Sequence, residues 1–227
     1  MAAFTYSDIA KMIDHSLLQP TLTDADLEKG CLLAREYAVA SVCIKPYAVP
    51  LAVRLLRGSG VAVGTVIGFP QGSHTTRIKV AEAKASMDDG ATELDMVVNI
   101  GKVLGKDWAF VSDDIRAVVG AAHAGKAIVK VILENCFLQD EHKEALCRIC
   151  GEVGADFVKT STGYGDGGAT DADLTLMRRC SPPGVQVKAA GGVRNYERLI
   201  AVRAMGVTRV GATATKAILD ECKAKLG

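Results

Sequence analysis

The chain has 227 residues, of which 49% are hydrophobic and 23% charged, with a formal net charge of +1. That is enough apolar sequence for one large core, and with no linker or composition break it predicts a single domain over 1–227. The near-neutral mixture of charges excludes the basic surface that nucleic-acid and membrane-surface proteins rely on.

From the amino terminus onward, β-rich runs fall at 12–15, 41–44, 61–67, 93–98, 128–133, 156–160, 185–189 and 208–211. Helical patterns alternate with them near 24–38, 47–57, 75–89, 109–124, 140–152, 171–180, 195–205 and 214–225. Thr23 stands before Asp24 and Asp26, residues suited to a helix start. Asp89-Gly90, Gly125, Gly154 and Gly206 suit helix ends. Eight strand–helix alternations in one chain of this length predict a (β/α)8 TIM barrel of class α/β. The rival, a doubly wound open sheet, usually carries a glycine fingerprint after its first strand. Ile13-Asp14-His15-Ser16-Leu17 carries none.

The first residues, Met-Ala-Ala-Phe-Thr-Tyr-Ser-Asp, lack the basic-then-apolar order of a secretory leader, and no apolar run approaches the ~20 residues of a membrane span. A cytoplasmic protein without membrane or nucleic-acid partners is expected. Seven cysteines form no disulfide framework, and Cys147-Arg-Ile-Cys150 lies in a helical pattern without a second pair. The four histidines have no ligand spacing either, so no metal is expected.

Polar residues in six strand candidates carry the functional argument: Asp14, Cys43, Asp95, Lys130, Lys159 and Lys188. A barrel brings the ends of many strands to one mouth, where an open sheet would spread them. Lys159 follows Asp156-Phe157-Val158, and Lys188 follows Val185-Gln186-Val187; buried strands are costly places for an ammonium. An ordinary lysine, with a pKa near 10.4, is unprotonated about once in 2,500 at pH 7. Neighbouring strands lie ~4.8 Å apart, so inward lysines at one height would hold their nitrogens ~5 Å apart. At an effective dielectric of ~20 their repulsion is about 3 kcal/mol, or roughly two pKa units. One amine then approaches neutrality and can attack an aldehyde to form an imine. Lys130, in Ile128-Val129-Lys130-Val131-Ile132, is expected to face the same interior. Asp95 is the carboxylate flanked by apolar strand residues on both sides, placed to move protons in carbinolamine chemistry.

Two glycine-bearing loops, Gly191-Gly192-Val193-Arg194-Asn195 and Gly211-Ala212-Thr213, follow the last two strands and precede helices. Such loops let backbone N–H groups reach an anion, and in barrels this is a frequent phosphate site, with Arg194 adding charge at the rim. Four glycines within 163–168 suit a loop wrapped over a ligand soon after Lys159.

Asp14-His15-Ser16-Leu17-Leu18, Glu93-Leu94-Asp95-Met96-Val97-Val98-Asn99, Phe157-Val158-Lys159-Thr160-Ser161-Thr162-Gly163 and Val187-Lys188-Ala189-Ala190-Gly191-Gly192-Val193-Arg194 resemble the deoxyribose-phosphate aldolase family. Val66-Ile67-Gly68-Phe69-Pro70 and Gly211-Ala212-Thr213 match in the same order, so the resemblance spans nearly the whole chain. It implies a class I lyase that reversibly cleaves 2-deoxy-D-ribose 5-phosphate to D-glyceraldehyde 3-phosphate and acetaldehyde, without metal or cofactor. By the same resemblance, Lys159 is the Schiff-base nucleophile, Lys188 lowers its pKa and Asp95 shuttles protons through an ordered water. The phosphate site falls on Gly163, Gly191, Gly192, Val193, Arg194, Gly211 and Thr213. Thr162 contacts the hydroxyl or phosphate end, and Asp14 and Cys43 line the pocket. Tyr164 and Ala214 stand where some members carry a lysine and a serine, which removes a charge and a hydroxyl from the phosphate end. His15 reads as a structural hydrogen-bonding residue. A homodimer is expected from the prevalence of two-fold assemblies. The competing readings are another barrel Schiff-base lyase of transaldolase type and a catalytically silent sugar-phosphate-binding barrel.

Overall fold

The computed structural model describes residues 4–226. Its strands are β1 (Ile13–Leu17), β2 (Ser41–Ile44), β3 (Ala62–Ile67), β4 (Glu93–Val97), β5 (Ile128–Ile132), β6 (Phe157–Lys159), β7 (Gln186–Ala190) and β8 (Arg209–Ala212). Each pairs in parallel with its sequence neighbours, and β8 returns to β1, so the sheet closes into an eight-stranded barrel. Closure excludes the open-sheet alternative. The surrounding helices are α1 (Tyr6–Ala10), α2 (Asp24–Glu36), α3 (Val49–Leu56), α4 (Thr76–Asp88), α5 (Ile100–Leu104), α6 (Trp108–Ala124), α7 (Asp140–Val153), α8 (Asp171–Cys180), α9 (Tyr196–Ala204) and α10 (Thr215–Leu226).

A strand in such a barrel is covered on both faces, so its burial does not alternate. In β4 all five residues are buried: Leu94 and Met96 join the apolar layer beneath the helices, while Glu93 and Asp95 share the opposite face. The same two-residue period puts Asp14, Ser41, Cys43, Lys130, Lys159, Lys188 and Arg209 on the inner faces of their strands. The hydrophobic core is therefore the shell between sheet and helices, and one sector of the barrel interior is polar.

Several boundaries differ from expectation. The first strand runs over Ile13–Leu17 rather than 12–15, because its pairing with β2 continues to Leu17 opposite Ile44. Two five-residue helices were not anticipated, being too short for a periodic signal. Local caps carry them: Thr5 and Asp8 form a capping box before α1, and the Asn99 side chain accepts from the Lys102 N–H in α5. The predicted Thr23 start is realised, with Asp26 completing a capping box. Among the described residues no helix is long and apolar enough to cross a membrane.

One ion pair fastens the outer layer. Lys79 on α4 is fully buried and donates to Asp114 Oδ2 on α6 at 2.6 Å and to the Val97 carbonyl at the end of β4 at 2.9 Å. Removing the lysine alone leaves Asp114 buried with the Thr76 hydroxyl. Lys79→Ala is therefore expected to lose about 3–5 kcal/mol of stability in urea unfolding, whereas Lys79→Met with Asp114→Leu should lose far less.

Candidate active site

The sequence-predicted residues converge at the carboxyl ends of the strands. Lys159 and Lys188 are paired in register on β6 and β7, so they stand at one height. Both amines donate to the same oxygen, Asp95 Oδ2, at 2.7 Å each. Their nitrogens are thus at most twice that distance apart. Asp95 itself is fully buried behind them and accepts from Lys130 at Oδ1, 3.0 Å away. Lys188 also meets Asp14 Oδ2 at 2.6 Å. Cys43 directs its thiol at Asp95 Oδ2 from 3.9 Å.

A cavity of about 380 Å³ opens above this cluster. Lys159, Lys188, Asp14 and Cys43 line its deep end, and Thr162, Gly163, Gly191, Gly192, Val193, Arg194, Gly211 and Thr213 are among the residues lining it further out. Lys130 does not reach it, contrary to expectation. Its register partner is Phe157, two residues before Lys159, which sets it one inward-facing layer deeper, where Glu93 Oε2 holds it at 2.6 Å.

The ionisation pattern also corrects one expectation. Burial is the largest influence lowering the Lys159 pKa; Asp95 opposes it, and repulsion from Lys188 adds to it. Mutual repulsion is a contributor rather than the leading cause. Burial acts on Lys188 too, but Asp14 and Asp95 outweigh it and raise its pKa, so Lys188 stays an ammonium. Burial would raise the Asp95 carboxyl, yet Lys130, Lys159 and Lys188 together hold it well below the usual carboxylate range. Burial and then Asp95 push the Cys43 thiol up to about 11, leaving it protonated. Burial lowers His15 to about 4, and its Nδ1 bonds the Thr215 hydroxyl at 2.8 Å, a neutral link between β1 and α10.

At the outer end of the cavity the loop after β6 is fixed from below and across. Thr162 donates its backbone N–H to Glu134 Oε1 at 3.1 Å and its hydroxyl to Oε2, while that hydroxyl accepts from the Tyr164 N–H at 3.0 Å. Its hydroxyl proton is thus committed to Glu134, so what the Thr162 hydroxyl offers the cavity is an acceptor. Tyr164 crosses the mouth, donating to the Leu18 carbonyl at 2.7 Å and packing edge-on to Phe69 with centroids 5.4 Å apart. Gly168 and Gly191 press together so closely that a Cβ on either would come within 2.9 Å of the other's backbone. Gly191 (φ +83°) and Gly192 (φ +88°) turn β7 outward in the left-handed region, where glycine is favoured. These loops and Arg194 line the same cavity as the lysine pair.

Four residues of this assembly were not anticipated: Glu93, Arg209, Ser41 and Glu134. Arg209 forks onto Asp14 Oδ1 and Glu93, and Ser41 donates to Asp14 Oδ1 at 2.7 Å. A charged residue in the first or second position of a strand candidate was the available signal, first for Glu93 in 93–98 and second for Arg209 in 208–211. Glu134 sits in a left-handed conformation after β5, where no local pattern marks it.

Among known proteins, the model of the DeoC/LacD family of aldolases matches residues 9–218. The deoxyribose-phosphate aldolase of Rhodopirellula baltica is 55% identical over 227 residues, covering 100% of this chain and 94% of that protein. The deoxyribose-phosphate aldolase of Clostridium perfringens is 51% identical over 212 residues, covering 93% and 94%. Among solved structures, the tetrameric deoxyribose phosphate aldolase of Aeropyrum pernix superimposes with a TM-score of 0.89 at 30% identity, over 97% of this chain and 93% of that one.

Proposed function

Because the chain belongs to the DeoC/LacD family of aldolases, we propose that it cleaves 2-deoxy-D-ribose 5-phosphate reversibly to D-glyceraldehyde 3-phosphate and acetaldehyde, through an imine on Lys159. The observation that carries the assignment is the register-matched pair of buried lysines sharing one carboxylate oxygen. In the cleavage direction the free Lys159 amine attacks the C1 aldehyde, and the carbinolamine loses water to give a protonated imine. The C3 hydroxyl then gives up its proton, the C2–C3 bond breaks, and its electron pair flows to the imine nitrogen. Glyceraldehyde 3-phosphate leaves and an enamine remains. Protonation at C2 and hydrolysis release acetaldehyde and restore the amine. Lys188, held as an ammonium, is the acid that reaches the cavity. Asp95 lies behind both amines and passes protons between them, or through a water at the cavity's deep end.

The phosphate end is assigned to the glycine loops and Arg194, with Thr162 and Tyr164 shaping the path to them. The same proposal takes the chain as one domain in a homodimer in the cytoplasm, acting on small molecules. The tetrameric Aeropyrum pernix relative makes tetramers the alternative that sedimentation would distinguish.

The test is reductive trapping. Borohydride with acetaldehyde should leave an N-ethyl group on Lys159, and deoxyribose 5-phosphate should be cleaved while fructose phosphates are not. Turnover of fructose phosphates would favour a transaldolase-type lyase. Absence of any adduct on Lys159 would favour a silent binding barrel.

A further inference from the structure

The polar sector of the barrel holds an odd charge count. Among the described residues, three carboxylates (Asp14, Glu93, Asp95) and four bases (Lys130, Lys159, Lys188, Arg209) form one continuous network of ion pairs. Of the other groups facing it, the Cys43 thiol is protonated, the His15 imidazole is uncharged and Ser41 does not titrate at physiological pH, while the Lys11 ammonium, which feels Arg209, is held by the Val39 and Gly60 carbonyls and pairs with none of the three carboxylates. Fully ionised, the cluster would carry one unbalanced positive charge in a desolvated place, and shedding a single proton removes it.

The contacts decide which base sheds it. Arg209 cannot, since a guanidinium keeps its proton in proteins. Lys130 meets three carboxylates, Glu93 at 2.6 Å, Asp95 at 3.0 Å and Asp14 at 3.6 Å. Lys188 meets two, Asp14 at 2.6 Å and Asp95 at 2.7 Å. Lys159 meets Asp95 alone, through an oxygen it shares with Lys188. The amine facing the cavity is the least compensated. Remove Arg209, and three acids face three lysines with no proton left over.

We propose that Arg209 is a positioning residue of the catalytic cluster, whose permanent charge occupies Asp14 and Glu93 and so leaves Lys159 as the unprotonated amine. This rests on the reading of Lys159 as the Schiff-base nucleophile. Arg209 acts from below. Its side chain is 14% exposed, it lies over the Phe157 ring at 5.6 Å, and the residues lining the cavity do not include it. It therefore touches no substrate, and its influence runs through Asp14 to Lys188 and through Glu93 to Lys130.

The experiment is the pH dependence of borohydride trapping of acetaldehyde on Lys159, followed beside KM for deoxyribose 5-phosphate. In Arg209→Gln the trapping midpoint should rise by about one pH unit, the shift a unit charge roughly 10 Å away produces at an effective dielectric of ~20. KM should stay near that of the parent. Arg209→Lys keeps the charge and should restore the midpoint. Arg209→Gln combined with Glu93→Gln restores the surplus of one base and should return the midpoint toward the parent value. Glu93→Gln alone enlarges the surplus and should move it down, which keeps the sign testable even if Arg209→Gln folds poorly. An unmoved midpoint in Arg209→Gln, a rise in Glu93→Gln, or a double variant that stays with the Arg209→Gln value would each overturn the assignment. Failure to trap Lys159 in the parent at any pH would overturn the Schiff-base reading and this one with it. Trapping with an unmoved midpoint removes only the role of Arg209.

Discussion

Lys159→Ala abolishes cleavage of deoxyribose 5-phosphate, by roughly four orders of magnitude or more, the scale on which deletion of a covalent nucleophile is felt. The loss falls on the chemical step rather than on folding. Asp95 keeps Lys130 at 3.0 Å and Lys188 at 2.7 Å, so the substitution orphans no buried carboxylate. It also removes the surplus base, leaving three acids against three bases among the described residues of the cluster, and unfolding should stay cooperative with stability at least equal to the parent. The alanine side chain opens space toward a cavity that is already there. Steady-state rates, a denaturant titration and mass spectrometry after reduction check this together. Retained turnover, or an adduct appearing on Lys188 at the parental rate, would remove Lys159 from the mechanism.

How far the sequence carried this site depended on the range of each physical signal. Lys159 and Lys188 were legible because a charged residue inside a short apolar run conflicts with its neighbours. The strand order of a barrel then fixes their adjacency without any detail of packing. The glycine loops after β7 and β8 were legible for a similar local reason, since each turns a strand directly into a helix. The pKa argument was only half legible: strand spacing sets the repulsion, but burial, which acts more strongly on Lys159, depends on every wall of the cavity. Lys130 was placed on the correct face and at the wrong depth. The period of two fixes the face of a strand residue, whereas depth follows from the stagger between strands, and no single segment encodes that. Arg209 and Glu93 were missed although the rule that found the lysines applies to them. They open their strands, where a charge next to polar loop residues looks ordinary. Glu134 was out of reach. Its importance is the bond across 28 residues to Thr162, and it lies outside any regular strand.

Lys188→Leu should depress activity at neutral pH by three orders of magnitude or more while displacing the pH profile upward. Two losses combine. Without the ammonium beside it, Lys159 becomes the sole cavity-side partner of Asp95 and retains its proton. At ~5 Å and an effective dielectric of ~20, the lost repulsion is worth about two pKa units, and each unit lowers the free amine tenfold at pH 7. The cavity also loses the acid that serves carbinolamine dehydration and enamine protonation, a contribution typically on the order of 10²–10⁴ in rate. These two losses respond differently to pH. The ionisation deficit is recovered in alkali, where Lys159 finally deprotonates, but the missing proton donor is not. The variant should therefore show a rising limb displaced to higher pH and a plateau still well below the parent. Asp14 retains Arg209 and the Ser41 hydroxyl, so no buried acid is abandoned and the fold should persist. The rate of imine formation, followed by trapping, should shift to higher pH in the same way and also level off below the parent, because carbinolamine dehydration has lost its acid. A profile lowered uniformly without displacement would show that Lys188 moves protons but leaves the ionisation of its neighbour alone. A displaced profile that recovers to the parental plateau would show the reverse.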